Sequence, residues 1–255
     1  MTDIHKLAGT IDGAARGARA IAQLSTGTTL TLEQAYAIQK ASIDLRLTRG
    51  ERRVGVKMGF TNRAKAVQMG VHDIVCGRLT DRMIIEDGGT VDFARYVHPR
   101  VEPEIAFLLK APLEGVVTPA QALAAVEAIA PAMELIDSRY ENFKFSLEDV
   151  VADNASSSGF VVGAWHRPDI DCSNLGIVLS FDGRPVQIGS SAAILGHPLR
   201  SLVAAARMTA AGGERLEPGW IVLAGSATTA EPLRRGLYVE AEVQSLGRVA
   251  FTIGN

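Results

Sequence analysis

The chain has little cysteine: only Cys76 and Cys172 among 255 residues. Neither belongs to a paired metal-ligand spacing. That excludes a structural zinc site or a disulfide framework and fits a reducing cytosol. Aromatic residues make up 5% and nowhere interleave with a basic block, so nucleic-acid binding has no footprint. No apolar run nears the ~18 residues needed to span a bilayer, and the stretch Met1 to Lys6 carries no apolar signal core. Repeats and low-complexity segments are missing too. The expectation is a soluble cytoplasmic protein without a membrane or nucleic-acid partner. What is present is the composition of a folded globular chain, with 47% hydrophobic and 21% charged residues and a formal net charge of −2. Its length suits one elaborate domain or two small ones.

The first fifty residues read as helical. Ile4, Leu7, Ala8, Ile11, Ala14, Ala15 and Ala18 recur with helical period. Thr31-Leu32-Glu33-Gln34 forms a capping box for a helix that stops near Gly50. Residues Arg53 to Phe60 predict a short strand, and Thr61 to Met69 a short helix closed by Gly70. From Leu79 to Lys110 the pattern is strand-rich, broken at Asp87-Gly88-Gly89. Thr118 and Pro119 open a helix expected to reach about Ala128 and to end at Pro131, with a strand at Met133 to Asp137. A short helix at Ser146 to Asp153 and three strands follow, with a hairpin turn at Asp182-Gly183. An amphipathic helix at Leu199 to Ala211 precedes three final strands. The class is α+β. A helical N-terminal region, residues 1–78, leads into a β-rich catalytic body, residues 79–255, in one continuous domain or two parts.

The most informative segment is His98-Pro99-Arg100-Val101-Glu102-Pro103-Glu104-Ile105-Ala106-Phe107. Glu102 and Glu104 stand at i and i+2 of a strand-like run and therefore share a face. Side by side on a half-buried strand they repel, unless a cation sits between them. Mg²⁺ favours such oxygen ligands and keeps open positions for substrate oxygens. An exposed edge with two solvated glutamates fits the pair equally well. Glu134, a lone carboxylate among Met133, Leu135 and Ile136, is the third member. It either joins the same ion or makes a buried salt bridge to Arg100 or Arg139. Lys57, between Val56 and Met58, is a desolvated acid, base or clamp, or else a lysine snorkelling from a strand edge. The polar stretches at 153–159 and 225–230 suit substrate-facing loops or plain connections. His98 and His197 read as structural, and Cys76 lacks the setting of a nucleophile.

Four blocks carry a resemblance: Val54 to Thr61, Pro99 to Phe107, Glu134 to Arg139, and Val151 to Ser157. Together they resemble the hydratase/decarboxylase branch of the fumarylacetoacetate hydrolase superfamily, over residues from about 30 to the C-terminus. The resemblance implies a mixed β-sandwich roll, a Mg²⁺ (or Mn²⁺) ion on Glu102, Glu104 and Glu134, and Lys57 as catalytic residue. Ser156, Thr228 and Arg139 are the expected substrate contacts. The branch implies work on small 2-oxo acids in meta-cleavage degradation of aromatic compounds. The expected reaction is decarboxylation of 2-oxo-3-hexenedioate to 2-hydroxypenta-2,4-dienoate. The alternative is hydration of that dienoate. Hydratase-type members usually carry an aspartate where this chain has Val75, which favours the decarboxylase. Hydrolysis of acylpyruvates is more distant. A non-catalytic 2-oxo acid binding or scaffold subunit is the reading from another class. Relatives imply a homo-oligomer and a complex with the hydratase.

Overall fold

The computed structural model describes residues 2–62 and 74–254. The helix expected from Thr61 falls, from residue 63 onward, outside them. The N-terminal region contributes α1 (Ile4–Arg16) and α2 (Leu32–Thr48). The box at α2 forms as read: the Thr31 hydroxyl accepts from the Gln34 N–H, and the Gln34 side chain accepts from the Thr31 N–H. The strands that follow are β1 (Arg53–Gly59), β2 (Val75–Thr80), β3 (Ile84–Ile85), β4 (Thr90–Val91) and β5 (Arg100–Leu109). Then come α3 (Pro119–Ala124), β6 (Val126–Ile136), α4 (Leu147–Ala152) and β7 (Ser157–Val162). The chain closes with β8 (Gly176–Phe181), β9 (Arg184–Ser190), α5 (Pro198–Ala211), β10 (Ile221–Leu223), β11 (Glu231–Pro232), β12 (Tyr238–Val243) and β13 (Gly247–Ile253).

The strands form two sheets. The larger runs β2-β1-β10-β5-β6-β7-β3, with β11 also paired to β5, and the smaller runs β4-β13-β12-β8-β9. Parallel pairs (β1 with β10, β3 with β7, β4 with β13) sit among antiparallel ones, so both sheets are mixed. The α+β expectation is met. The expected division after residue 78 falls inside β2, and β1 and β2 are hydrogen-bonded into the large sheet. The purely helical part therefore ends at α2, because Lys57 and its neighbours need sheet partners for their backbone groups.

Strand alternation separates core from site. Val101, Met133 and Leu135 point toward the small sheet, where they pack with Leu179, Val239 and Phe251. Glu102, Glu104 and Glu134 hold the intervening positions and face the other way. Further along, that same face becomes apolar, with Ala106, Ala132, Phe160 and Leu223 in one buried cluster.

The helix predicted to reach Ala128 is corrected. α3 stops at Ala124, and β6 is already extended from Val126, with Pro131 inside it. Both faces of β6 are largely buried, so no alternation marks it as a strand. Pro131 is tolerated because its carbonyl accepts from Gly163 N–H, just past the last β6–β7 pair, Ala132 with Val162. Its missing N–H faces that same side, where the ladder has ended.

Candidate active site

The register of β5 on β6 sets Glu102 directly opposite Glu134 and Glu104 opposite Ala132. One carboxylate oxygen from each glutamate lies within 4.8 Å of the other two. Glu104 and Glu134 are fully buried and Glu102 is half-buried. Three like charges so close cost free energy unless a cation joins them. Glu104 Oε2 accepts from the Gly225 N–H at 2.6 Å, while its Oε1 is buried with no hydrogen-bond partner. The donor set and that orphaned oxygen fit a hard divalent ion.

Lys57 comes from β1, two strands from β5. Its ammonium donates to the Ala155 carbonyl at 3.1 Å and lies 2.9 Å from Glu134 Oε2. The partner of Glu134 is thus Lys57, and neither Arg100 nor Arg139 takes that place. Burial pulls the Lys57 pKa down, but Glu134, Glu102 and Glu104 outweigh it and the net shift is upward, so the group stays charged. Burial, reinforced by Glu134, holds Glu104 well above the ordinary carboxylate range. Burial also raises Glu134, against the pull of Lys57. The Lys57 stem has room only because residue 77 is glycine: a Cβ there would stand 3.0 Å from Lys57 Cγ and Cδ.

The loop after α4 shapes the other side. Asn154, Ala155 and Ser156 all hold positive φ, of 54°, 51° and 59°, a strained run for residues with side chains. The strain aims the Ala155 carbonyl at Lys57. Ser156 is buried beside it, its hydroxyl without a partner among the described residues. The loop after β10 runs along β5, where Ala227 N–H donates to the Pro103 carbonyl at 3.1 Å. Gly225 in this loop has φ +103°, and a Cβ there would meet Thr61 Oγ1 at 2.1 Å. Thr228 belongs to this loop, but Ser226 and Thr229 line the cavity, and the Thr228 hydroxyl donates to the Thr229 carbonyl.

Above the triad lies a cavity of about 760 Å³ lined by Glu102, Thr61, Arg100, Ser226 and an aromatic rim of Phe60, Phe143 and Phe145. The Arg100 guanidinium sits 4.4 Å from the centre of the Phe143 ring. Arg139 is not brought here, contrary to expectation. It is buried, ion-paired with Asp153, and bonded to Ser158 Oγ and the Asp153 carbonyl. Ser157 faces Glu134, so the next residue on the strand, Ser158, carries Arg139 to the opposite side. Phe143 and Phe145 escaped the sequence reading as site residues because aromatic residues at loop positions carry no periodic signal. His197 caps α5 by accepting from Leu199 N–H, and the buried Cys76 thiol is pushed up to about 11, away from a nucleophile's setting.

The profile of the fumarylacetoacetate (FAA) hydrolase C-terminal family matches residues 53–254, from β1 to the end of β13. The chain belongs to this family. A 4-oxalocrotonate decarboxylase of a Pseudomonas species is 60% identical over 249 residues, 98% of this chain and 97% of that protein. A 2-hydroxyhexa-2,4-dienoate hydratase of Comamonas testosteroni is 36% identical, over 92% and 91% of the two chains. Among solved structures, the 4-oxalocrotonate decarboxylase of Pseudomonas putida G7, complexed with magnesium and adipate, superposes with a TM-score of 0.95 at 37% identity, covering 98% of this chain and 97% of that one. Among the described residues no helix is long and apolar enough to cross a membrane.

Proposed function

We propose that the chain is a carboxy-lyase of the cytoplasm that converts 2-oxo-3-hexenedioate (4-oxalocrotonate) to 2-hydroxypenta-2,4-dienoate and CO₂ with Mg²⁺ or Mn²⁺. The observation that carries this reading is the meeting of Glu102, Glu104 and Glu134 with Lys57, with Glu102 reaching into the aromatic-rimmed cavity. The likeness to decarboxylases, one of them solved with magnesium, supports it.

Glu102, Glu104 and Glu134 would hold the ion. When bound, such an ion supplies Lewis-acid stabilisation of the negative charge that grows on the 2-oxo oxygen. The substrate is a vinylogous β-keto acid. Breaking its C5–C6 bond releases CO₂, and the bonding pair passes along the conjugated chain to the C2 oxygen. Lys57, 2.9 Å from Glu134 Oε2, offers the proton that the C2 oxygen then takes. Phe60, Phe143 and Phe145 restrict water around the departing carboxylate, which favours neutral CO₂ over the anion. Val75 Cγ2 and Lys57 Nζ border the same spot beside Gly59. Residue 75 thus presents a methyl group there, not the carboxyl that could handle the proton hydration needs. Handing the unstable dienol to an associated hydratase, within a homo-oligomer, suits this chemistry.

The test is CO₂ release from 2-oxo-3-hexenedioate with Mg²⁺, with and without chelator. Turnover should vanish with chelator and fall by roughly 10²-fold or more in Glu104→Gln, the scale of losing one charge-stabilising group. Full activity in metal-free buffer, or water addition in place of CO₂ release, overturns the reading.

A further inference from the structure

A second cavity, of about 420 Å³, opens between the ends of α1 and α2 and the exit of β6, and six arginines line it: Arg16, Arg46, Arg49, Arg82, Arg95 and Arg139. It shares no lining residue with the cavity above the triad. Its own carboxylates also serve other groups, although the Glu51 charge still favours Arg46 and Arg49. Glu51 accepts from Thr80 Oγ1, Asp92 from Ala94 N–H, and Asp137 from the N–H groups of Val97 and His98. Asp12 and Asp153 serve Arg49 and Arg139. Arg16, Arg82 and Arg95 make no ion pair among the described residues. Arg46, only 14% exposed, reaches no closer than 4.0 Å to Asp12. A guanidinium that deep without a good partner is costly. Burial, and then the nearby Arg139 charge, pull its pKa down. The metal-site chemistry uses none of these side chains.

We propose that this basin is a binding site for a small anion of two or more charges, a phosphate or a dicarboxylate, separate from the catalytic cavity. Arg46 forms the floor and Arg16, Arg82 and Arg95 close over the ligand from the rim. Planar guanidinium forks match both oxyanions, and a bound anion relieves the repulsion among them.

The test titrates inorganic phosphate, and in parallel adipate, into the Mg²⁺-loaded protein at ionic strength held constant with sodium chloride, reading the melting temperature. Beyond any rise owed to the catalytic ion, a saturable arginine-dependent rise is expected in the wild type and equally in Glu104→Gln, and whichever anion gives the tighter curve identifies the class. Arg46→Met should abolish the rise. The double variant Arg82→Met/Arg95→Met, altered only at exposed positions, should weaken apparent affinity at least tenfold and stands alone if Arg46→Met does not fold. No saturable rise with either anion overturns the proposal. So does a rise left unchanged in the arginine variants, or an arginine-dependent rise that disappears in Glu104→Gln.

Discussion

At the scale of single residues, Lys57 and Gly225 do separable work. Lys57 touches Glu134 and the Ala155 carbonyl. Lys57→Met keeps the length of the side chain and removes the charge. Turnover should fall by about 10²-fold, the usual worth of a positioned proton donor. Mg²⁺ affinity should hold or tighten, since a cation repelling the ion is gone. Equal losses in turnover and affinity, read by steady-state kinetics and calorimetric titration, would reduce Lys57 to a structural ion pair. Gly225→Ala acts from the other side. The new methyl would collide with Thr61 Oγ1, and φ +103° is disfavoured for alanine. The loop must move, withdrawing the N–H that steadies Glu104. A loss of about 1–3 kcal/mol of stability together with weaker Mg²⁺ binding is the expected outcome. Unfolding in urea and the same titration measure both.

At the scale of elements, the turn at Asn154 to Ser156 is held by the buried Arg139–Asp153 pair on one side and by Lys57 on the other. Arg139→Met leaves Asp153 buried and unpaired, at a cost of roughly 3–5 kcal/mol. Burial already lifts Asp153 to about 6, above its ordinary value of 3.8. Without the arginine that rise grows. A carboxyl raised in the folded state adds stability at low pH that is lost as pH climbs through the folded value. The deficit of Arg139→Met against wild type should therefore shrink between pH 8 and pH 5, and urea melts across that range read it directly. A deficit independent of pH would mean that Asp153 is not the group left exposed. The elements also show what was legible beforehand. The capping at Thr31 and Thr118 was readable because each uses contacts three residues apart; the box at Ser146 was not read, only the short helix it opens. The glutamate face was readable because alternation in β5 is local. The beginning of β6 was hidden, since a strand buried on both faces and rich in alanine has a helix-like composition. Arg139 was misplaced because its direction depends on Asp153, which the chain brings near through a turn with no glycine to announce it.

The whole molecule couples its charge state to its ion. In the metal-free protein the buried carboxyls of Glu104, Glu134 and Asp153 all titrate above their ordinary values, burial being the first cause in each. The folded state then binds protons that the unfolded chain has released, so stability falls as pH rises through the folded values. Lys57 is raised too, but its contribution is lost only in alkali, outside the range from pH 5 to 8. Mg²⁺ requires the carboxylates ionised and competes with those protons. Its affinity should therefore climb with pH, and with it the stability it adds, which is roughly 2.7 kcal/mol at a free concentration of about 100 times Kd. Melting curves at fixed Mg²⁺ should show the gap between loaded and metal-free protein widening from pH 5.5 to pH 8, with protons released on binding at the lower pH. An increment that is constant, or larger at pH 5.5, would mean that the three glutamates do not share the ion.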